Sequence, residues 1–230
     1  MDGKASLLDL SHKLDSNVQI YPGDPAFSCS PFATVSKDGY SVHAVSLGTH
    51  TGTHIDAPSH FFADGKTIDQ IPLSSLMGPL VKIDLTKSGL EERQVITWED
   101  HIALTPAAAE IRVGVILLIQ TGWAAYWGTP KYFHHPFLSR DAAQRILDKG
   151  VKVVGFDTLN PDETPFEGVG GEQGFGTHEV ILGAGGVIAE NLTGLERIGD
   201  QNMIALIPLN LEGCDGSPIR AFAWKGLTGL

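Results

Sequence analysis

Apolar residues along this chain fall mostly into short runs rather than helical stripes. Residues 79–85 alternate, with Val81, Ile83 and Leu85 set against Lys82 and Asp84, which predicts a strand with one buried and one wetted face. From 113 to 121 the run is almost continuously apolar, as expected of a strand covered on both faces. Shorter strands are predicted at 7–10, 40–47 and 151–156, with a final buried one at 203–209. One helix is well marked at 140–149. Ser139 suits its N-cap, Asp141 its first turn and Gly150 its C-terminal stop, while Ala142, Ala143, Ile146 and Leu147 form an apolar stripe. A second, short helix is predicted at 178–184. The loop at 122–138 carries Trp123, Tyr126, Trp127, Tyr132 and Phe133, which either wall a pocket or pack the loop onto the core. The turn Tyr21-Pro22-Gly23-Asp24-Pro25 is held in shape by its prolines and glycine. Strands dominate, few helices flank them, and no linker or repeat divides residues 1–230, so one domain is expected.

Composition narrows the function classes. With 16 Lys and Arg against 27 Asp and Glu, the net charge of −11 argues against a nucleic-acid surface. The longest apolar run, 113–119, is far short of the ~20 residues that cross a bilayer, so no membrane partner is expected. Asp9, His12 and Lys13 interrupt the N-terminal stretch before a signal-peptide core develops, and a cytoplasmic protein is the expectation. Cys29 and Cys214 lack a Cys-x-x-Cys pairing, which disfavours both a thiolate metal site and a disulfide framework.

The chemistry concentrates in Gly48-Thr-His50-Thr-Gly-Thr-His54-Ile-Asp56-Ala-Pro-Ser-His60. Three of the nine histidines and one carboxylate fall within 11 residues there. Imidazole and carboxylate are the ligands that Zn²⁺ and Mn²⁺ accept, and His50, His54 and Asp56 make a complete set of three, leaving a position for water. Thr51, Gly52, Thr53 and Pro58 disfavour a helix. On an extended segment, His54 and Asp56 point the same way. A second Gly-Thr-His at 176–178, followed by Glu190, does not by itself define a site. Arg220 reads either as a partner for an acidic substrate group or as half of a buried ion pair. His134 and His135 read as a solvated loop pair, and His12 and His43 as lone strand-edge histidines.

The 50–60 stretch resembles the signature of the metal-dependent cyclase-like hydrolases, among them bacterial kynurenine formamidases and isatin hydrolases. Segments 20–24, 120–123, 126–128, 154–158, 178–191 and 217–221 extend the resemblance over nearly the whole chain. It implies an α/β fold of the swivelling β/β/α type, a single domain around a barrel-like β-sheet, in a homodimer. It also implies that His50, His54 and Asp56 bind one catalytic Zn or Mn ion and that His60 donates and accepts protons. In the formamidases a second metal shares the aspartate and is completed by a later histidine and a glutamate twelve positions on, which here are His178 and Glu190. The isatin hydrolases are understood to use one manganese. One ion is therefore expected and a second stays open, His178 and Glu190 otherwise orienting the water. Tyr21 stands where many formamidases place a substrate-contacting Trp, and the 159–175 loop is longer than theirs. The implied reaction is hydrolysis of an amide in a small aromatic substrate, of the N-formylkynurenine type. The alternatives are ring opening of isatin or another cyclic amide or lactone, and a metal-binding protein without turnover.

Overall fold

A computed structural model describes residues 7–171 and 173–226. In chain order the strands are β1 (Leu8–Asp9), β2 (Ser28–Ala33), β3 (Val42–Ser46), β4 (His54–Asp56), β5 (Met77–Asp84), β6 (Val95–Ile96) and β7 (Ile116–Gln120). They continue with β8 (Phe137–Leu138), β9 (Val153–Phe156), β10 (Val187–Glu190), β11 (Met203–Pro208) and β12 (Gly216–Trp224). The α-helices are α1 (Val35–Asp38), α2 (Arg140–Asp148) and α3 (Gly176–Gly183). The main sheet runs β12-β11-β5-β7-β9-β10-β4, and β4 pairs back onto β12, so seven strands close into a barrel. β5, β7, β9 and β10 are mutually parallel, and the other pairings in the ring are antiparallel.

Residue alternation explains how the barrel is filled. Ile116 and Leu118 of β7 join Ile55, Val153, Ala189, Leu206 and Ala221 in one apolar cluster drawn from six barrel strands. Leu117 and Ile119 point the other way, into a cluster with Ala142, Ala143 and Ile146 of α2 and Ile181 of α3. Both faces of β7 are thus covered, as its unbroken apolar run predicts. α2 forms as the sequence indicates, with Ser139 Oγ accepting from Ala142 N at 3.1 Å.

The strand at 203–209 is not the last. β12 follows it and is the longest strand of the barrel, although Pro218 and Arg220 interrupt its apolar pattern. Ile219, Ala221 and Ala223 are buried and Arg220 faces out, so period-2 alternation is present but short. Arg220 pairs with Asp9 across the exposed β1–β12 edge, Nε to Oδ1 at 2.9 Å, which is neither a buried pair nor a substrate contact. Among the described residues the β2–β3 hairpin pairs only with itself, and Pro31 sits beside its bulge.

His135 is also not solvated: it is 1% exposed. Its Nδ1 donates to the Pro136 carbonyl at 3.0 Å, and its Nε2 accepts from Thr164 Oγ1 at 2.8 Å. Burial holds its pKa down to about 4. A histidine depressed from an unfolded value of ~6.5 contributes stability fully above that value and loses it as pH falls toward the folded one. Between pH 7 and pH 5 this group alone is expected to cost about 2 kcal/mol. Urea midpoints at both pH values for wild type and His135→Gln check this: the wild type should lose more stability on acidification, and equal losses would refute the assignment.

Candidate metal centre

β4 is only three residues long, wholly buried, and flanked by β10 and β12. Its extended backbone puts His54 and Asp56 on one face, as the i, i+2 spacing predicts. Across the β10–β4 register Glu190 lies opposite His54. His178 arrives from the first turn of α3, and His50 from the loop before β4. His50 Nδ1 lies 2.7 Å from Asp56 Oδ1, and His54 Nε2 lies 3.3 Å from the same oxygen and 3.2 Å from Glu190 Oε2. His178 Nε2 stands 3.6 Å from Asp56 Oδ2 and 3.3 Å from Glu190 Oε1. All five metal-ligating candidates therefore converge, in two sets of three that share Asp56.

Each imidazole is turned by a partner on its far nitrogen. His54 Nδ1 donates to the Gly52 carbonyl at 2.7 Å. His178 Nδ1 donates to Asp162 Oδ2 at 2.6 Å, and the same carboxylate accepts from the Thr177 and His178 backbone N–H groups, capping α3. His60, on the turn Pro58–His60, has Nδ1 3.1 Å from Asp215 Oδ2, which also lies 2.9 Å from His50 Nε2. Asp215 and Asp162 carry no spacing signal in the sequence. Asp215 reaches the site only because β12 pairs with β4, where Ala57 N donates to its carbonyl at 2.8 Å.

Asn191 ties the ligand loop to the cavity wall. Its backbone sits at φ +54, which Asn tolerates better than most residues. Its Nδ2 donates to the carbonyls of Gly52 at 3.0 Å and Leu159 at 3.3 Å, and its Oδ1 accepts from the Tyr132 hydroxyl at 2.9 Å.

The residues present fit a divalent cation. His54 Nε2, Asp56 Oδ2 and Glu190 Oε1 are buried without hydrogen-bond partners among the described residues, and all three point into the cluster. The electrostatics demand positive charge there. Burial opposes charge on His50 and His54, yet the neighbouring carboxylates outweigh it and raise them to about 10 and about 9. Asp56 is likewise penalised by burial, but the neighbouring imidazoles of His178, His50 and His54 hold it well below the usual carboxylate range. A divalent ion meets the same demand while displacing those protons.

Above the ligands lies a cavity of about 230 Å³, with Tyr21, Phe61, Leu159 and Phe175 on its walls. His60 also lines it. None of the five aromatics of the 122–138 loop does. Trp123 and Tyr132 instead pack with Leu159 beneath it, so the packing reading of that loop holds.

Removing either end of the Asn191–Tyr132 bond leaves a buried polar group unpaired. Asn191→Ala should cost about 2–3 kcal/mol, including backbone strain at a positive φ, and Tyr132→Phe about 1 kcal/mol. Chemical denaturation of the double variant should show less than the sum of the two, and strict additivity would refute the coupling.

Comparison with known proteins agrees with this geometry. Residues 8–163 match a family model described as "Putative cyclase". Kynurenine formamidase of Delftia acidovorans is 32% identical over 220 residues, covering 94% of this chain and 95% of that protein. Kynurenine formamidase of Bacillus cytotoxicus is 32% identical over 223 residues, covering 93% and 95%. Among solved structures, isatin hydrolase A from Labrenzia aggregata bound to benzyl benzoate shares the fold, with a TM-score of 0.83 at 24% identity over 96% of this chain and 94% of that one. A structure described as a potential metal-dependent hydrolase with cyclase activity matches at TM-score 0.75 and 27% identity, over 97% and 100%. The barrel architecture expected from the resemblance is the one observed, and the chain belongs to the cyclase-like family of metal-dependent hydrolases.

Proposed function

We propose that this chain hydrolyses the formamide of an N-formyl aromatic amine, of the N-formylkynurenine type, to formate and the free amine. One observation carries the reading: a histidine held by a carboxylate stands beside a divalent-ion ligand set on the floor of an aromatic-walled cavity. The curated relatives named kynurenine formamidase support the choice of substrate class. His50, His54 and Asp56 would hold one Zn or Mn ion, and Asp56, His178 and Glu190 offer the ligands for a second. When bound, such an ion supplies Lewis acidity that lowers the pKa of water to ~7 and favours negative charge on a carbonyl oxygen.

The chain's own groups do the rest. Asp215 fixes the His60 ring through Nδ1, which leaves Nε2 to take a proton from the attacking water and deliver it to the leaving nitrogen. Without that delivery an amide cannot expel its amine. Asp162 and the Gly52 carbonyl keep His178 and His54 aimed at the ligand cluster. Tyr21 and Phe61 offer apolar faces to an aryl ring.

Two further features belong to this reading. The β2–β3 hairpin and α1 expose Phe32, Val35, Tyr40 and Val45, an apolar surface that a second copy in a homodimer would cover. A cytoplasmic setting suits the two free cysteines. Among the described residues no helix is long and apolar enough to cross a membrane.

Protein loaded with Zn²⁺ or Mn²⁺ should release kynurenine from N-formylkynurenine, followed by absorbance, and a chelator should abolish the activity. A folded, metal-replete sample that leaves it intact but opens isatin would replace this reading with ring-opening hydrolysis. His54→Ala should lose metal and turnover together. His60→Ala should keep its metal and lose turnover by about 10²–10⁴-fold. Wild-type rates in a metal-replete His60→Ala sample, with metal content measured by atomic emission, would remove the proton-transfer role.

A further inference from the structure

The turn at residues 21–24 contributes two side chains to the cavity, Tyr21 and Asp24. Gly23 adopts φ +101, which glycine tolerates without strain, and Asp24 N donates to the Tyr21 carbonyl at 3.1 Å. Pro22 and Pro25 restrict the backbone on both sides. The turn therefore fixes the backbone from which the Tyr21 and Asp24 side chains reach the cavity.

Asp24 differs from every other carboxylate at the site. Asp56 and Glu190 face the imidazoles, Asp162 is bound to His178, and Asp215 is shared by His50 and His60. The half-buried Asp24 side chain has no hydrogen bond or ion pair among the described residues, yet it lines the cavity. No lysine or arginine lines that cavity among the described residues. Apart from the imidazoles of His50, His54, His60 and His178, which face Asp56, Glu190, Asp162 and Asp215, its wall offers one uncommitted negative charge and no lysine or arginine to balance it. A charge-assisted hydrogen bond to a ligand cation is the interaction that fits such a group, and it is roughly twice as strong as a neutral one.

We infer that Asp24 forms a subsite for a primary ammonium group carried by the substrate. The inference rests on the aryl-formamide reading for the aromatic scaffold, and it narrows the substrate class to aryl formamides with a cationic arm. An α-amino acid arm would present its ammonium to Asp24. Its carboxylate, finding no lysine or arginine in the cavity, would point to solvent.

The test compares two pairs of compounds on the metal-loaded protein. For turnover, N-formylkynurenine is set against 4-(2-formamidophenyl)-4-oxobutanoate, which lacks only the amino group. For binding, 3-phenylpropylamine is set against 3-phenylpropanol by isothermal calorimetry at pH 7. The wild type should favour the ammonium member of each pair by about tenfold or more. Asp24→Asn should shrink that ratio to within about threefold, while Glu110→Gln, an equal change of net charge at an exposed site, should keep it. A wild type without preference, or an Asp24→Asn variant of wild-type metal content that retains the preference, overturns the subsite. If neither formamide is hydrolysed but the binding preference depends on Asp24, the formamidase reading falls and the subsite stands. Equal turnover of both formamides with no binding preference removes the subsite and leaves the formamidase reading.

Discussion

A carboxylate with no exposure to water governs this structure. Asp56 sits at 0% exposure on β4 of a seven-strand barrel, where an uncompensated charge would cost several kcal/mol. Its compensation comes from three imidazoles that approach from three directions: the loop before β4, β4 itself and the start of α3. None of them can be moved without leaving Asp56 short of a partner. The cluster remains over-supplied with acceptors, because Glu190 adds a second buried carboxylate and its Oε1 is unpartnered. An arrangement of this kind stores a demand for cations in the fold, and the polar contacts around it serve to aim nitrogen lone pairs at that demand.

Barrel closure is what brings the groups together. β4 has three residues and gains its stability from β10 on one side and β12 on the other, segments at least 130 and 160 positions away in sequence. The same two pairings deliver Glu190 opposite His54 and Asp215 beside His50 and His60. Gly216 shows how close the approach is: a Cβ there would meet the Ile55 carbonyl at 2.7 Å and the His50 ring at 2.9 Å. Strand order thus fixes the chemistry more tightly than any local motif does.

That dependence separates what the sequence discloses from what it conceals. His50, His54, Asp56 and His60 are neighbours along the chain, so their residue types and period-2 spacing were legible without a fold. β7 and α2 were equally plain, one as an unbroken apolar run and the other through its cap and stripe. The resemblance, not the spacing, connected His178 and Glu190 to the first group. Asp162 and Asp215 were invisible, because an isolated acidic residue acquires meaning only from a partner supplied by tertiary pairing. β12 is hard to read from sequence because Pro218 and Arg220 interrupt its apolar pattern before three alternations accumulate. His135 differs for the opposite reason: a pair of adjacent histidines in a loop reads as solvated, whereas the Thr164 hydroxyl and the Pro136 carbonyl give His135 a buried hydrogen-bonded niche.

Two histidines in the site share one construction and differ in setting. His60 and His178 each have Nδ1 against an aspartate, Asp215 and Asp162, which fixes the ring and leaves Nε2 as the working atom. The His178 side chain is 5% exposed and that of His60 is 28%. Asp162 is closed off as well, while Asp215 is 40% exposed. A ligand to a buried cation benefits from the first environment, where the dielectric is low and the ring cannot stray. A group that must exchange a proton with water on every cycle needs the second. In the proposed reaction, burial rather than residue type assigns the two roles, since the same imidazole–carboxylate pair serves both.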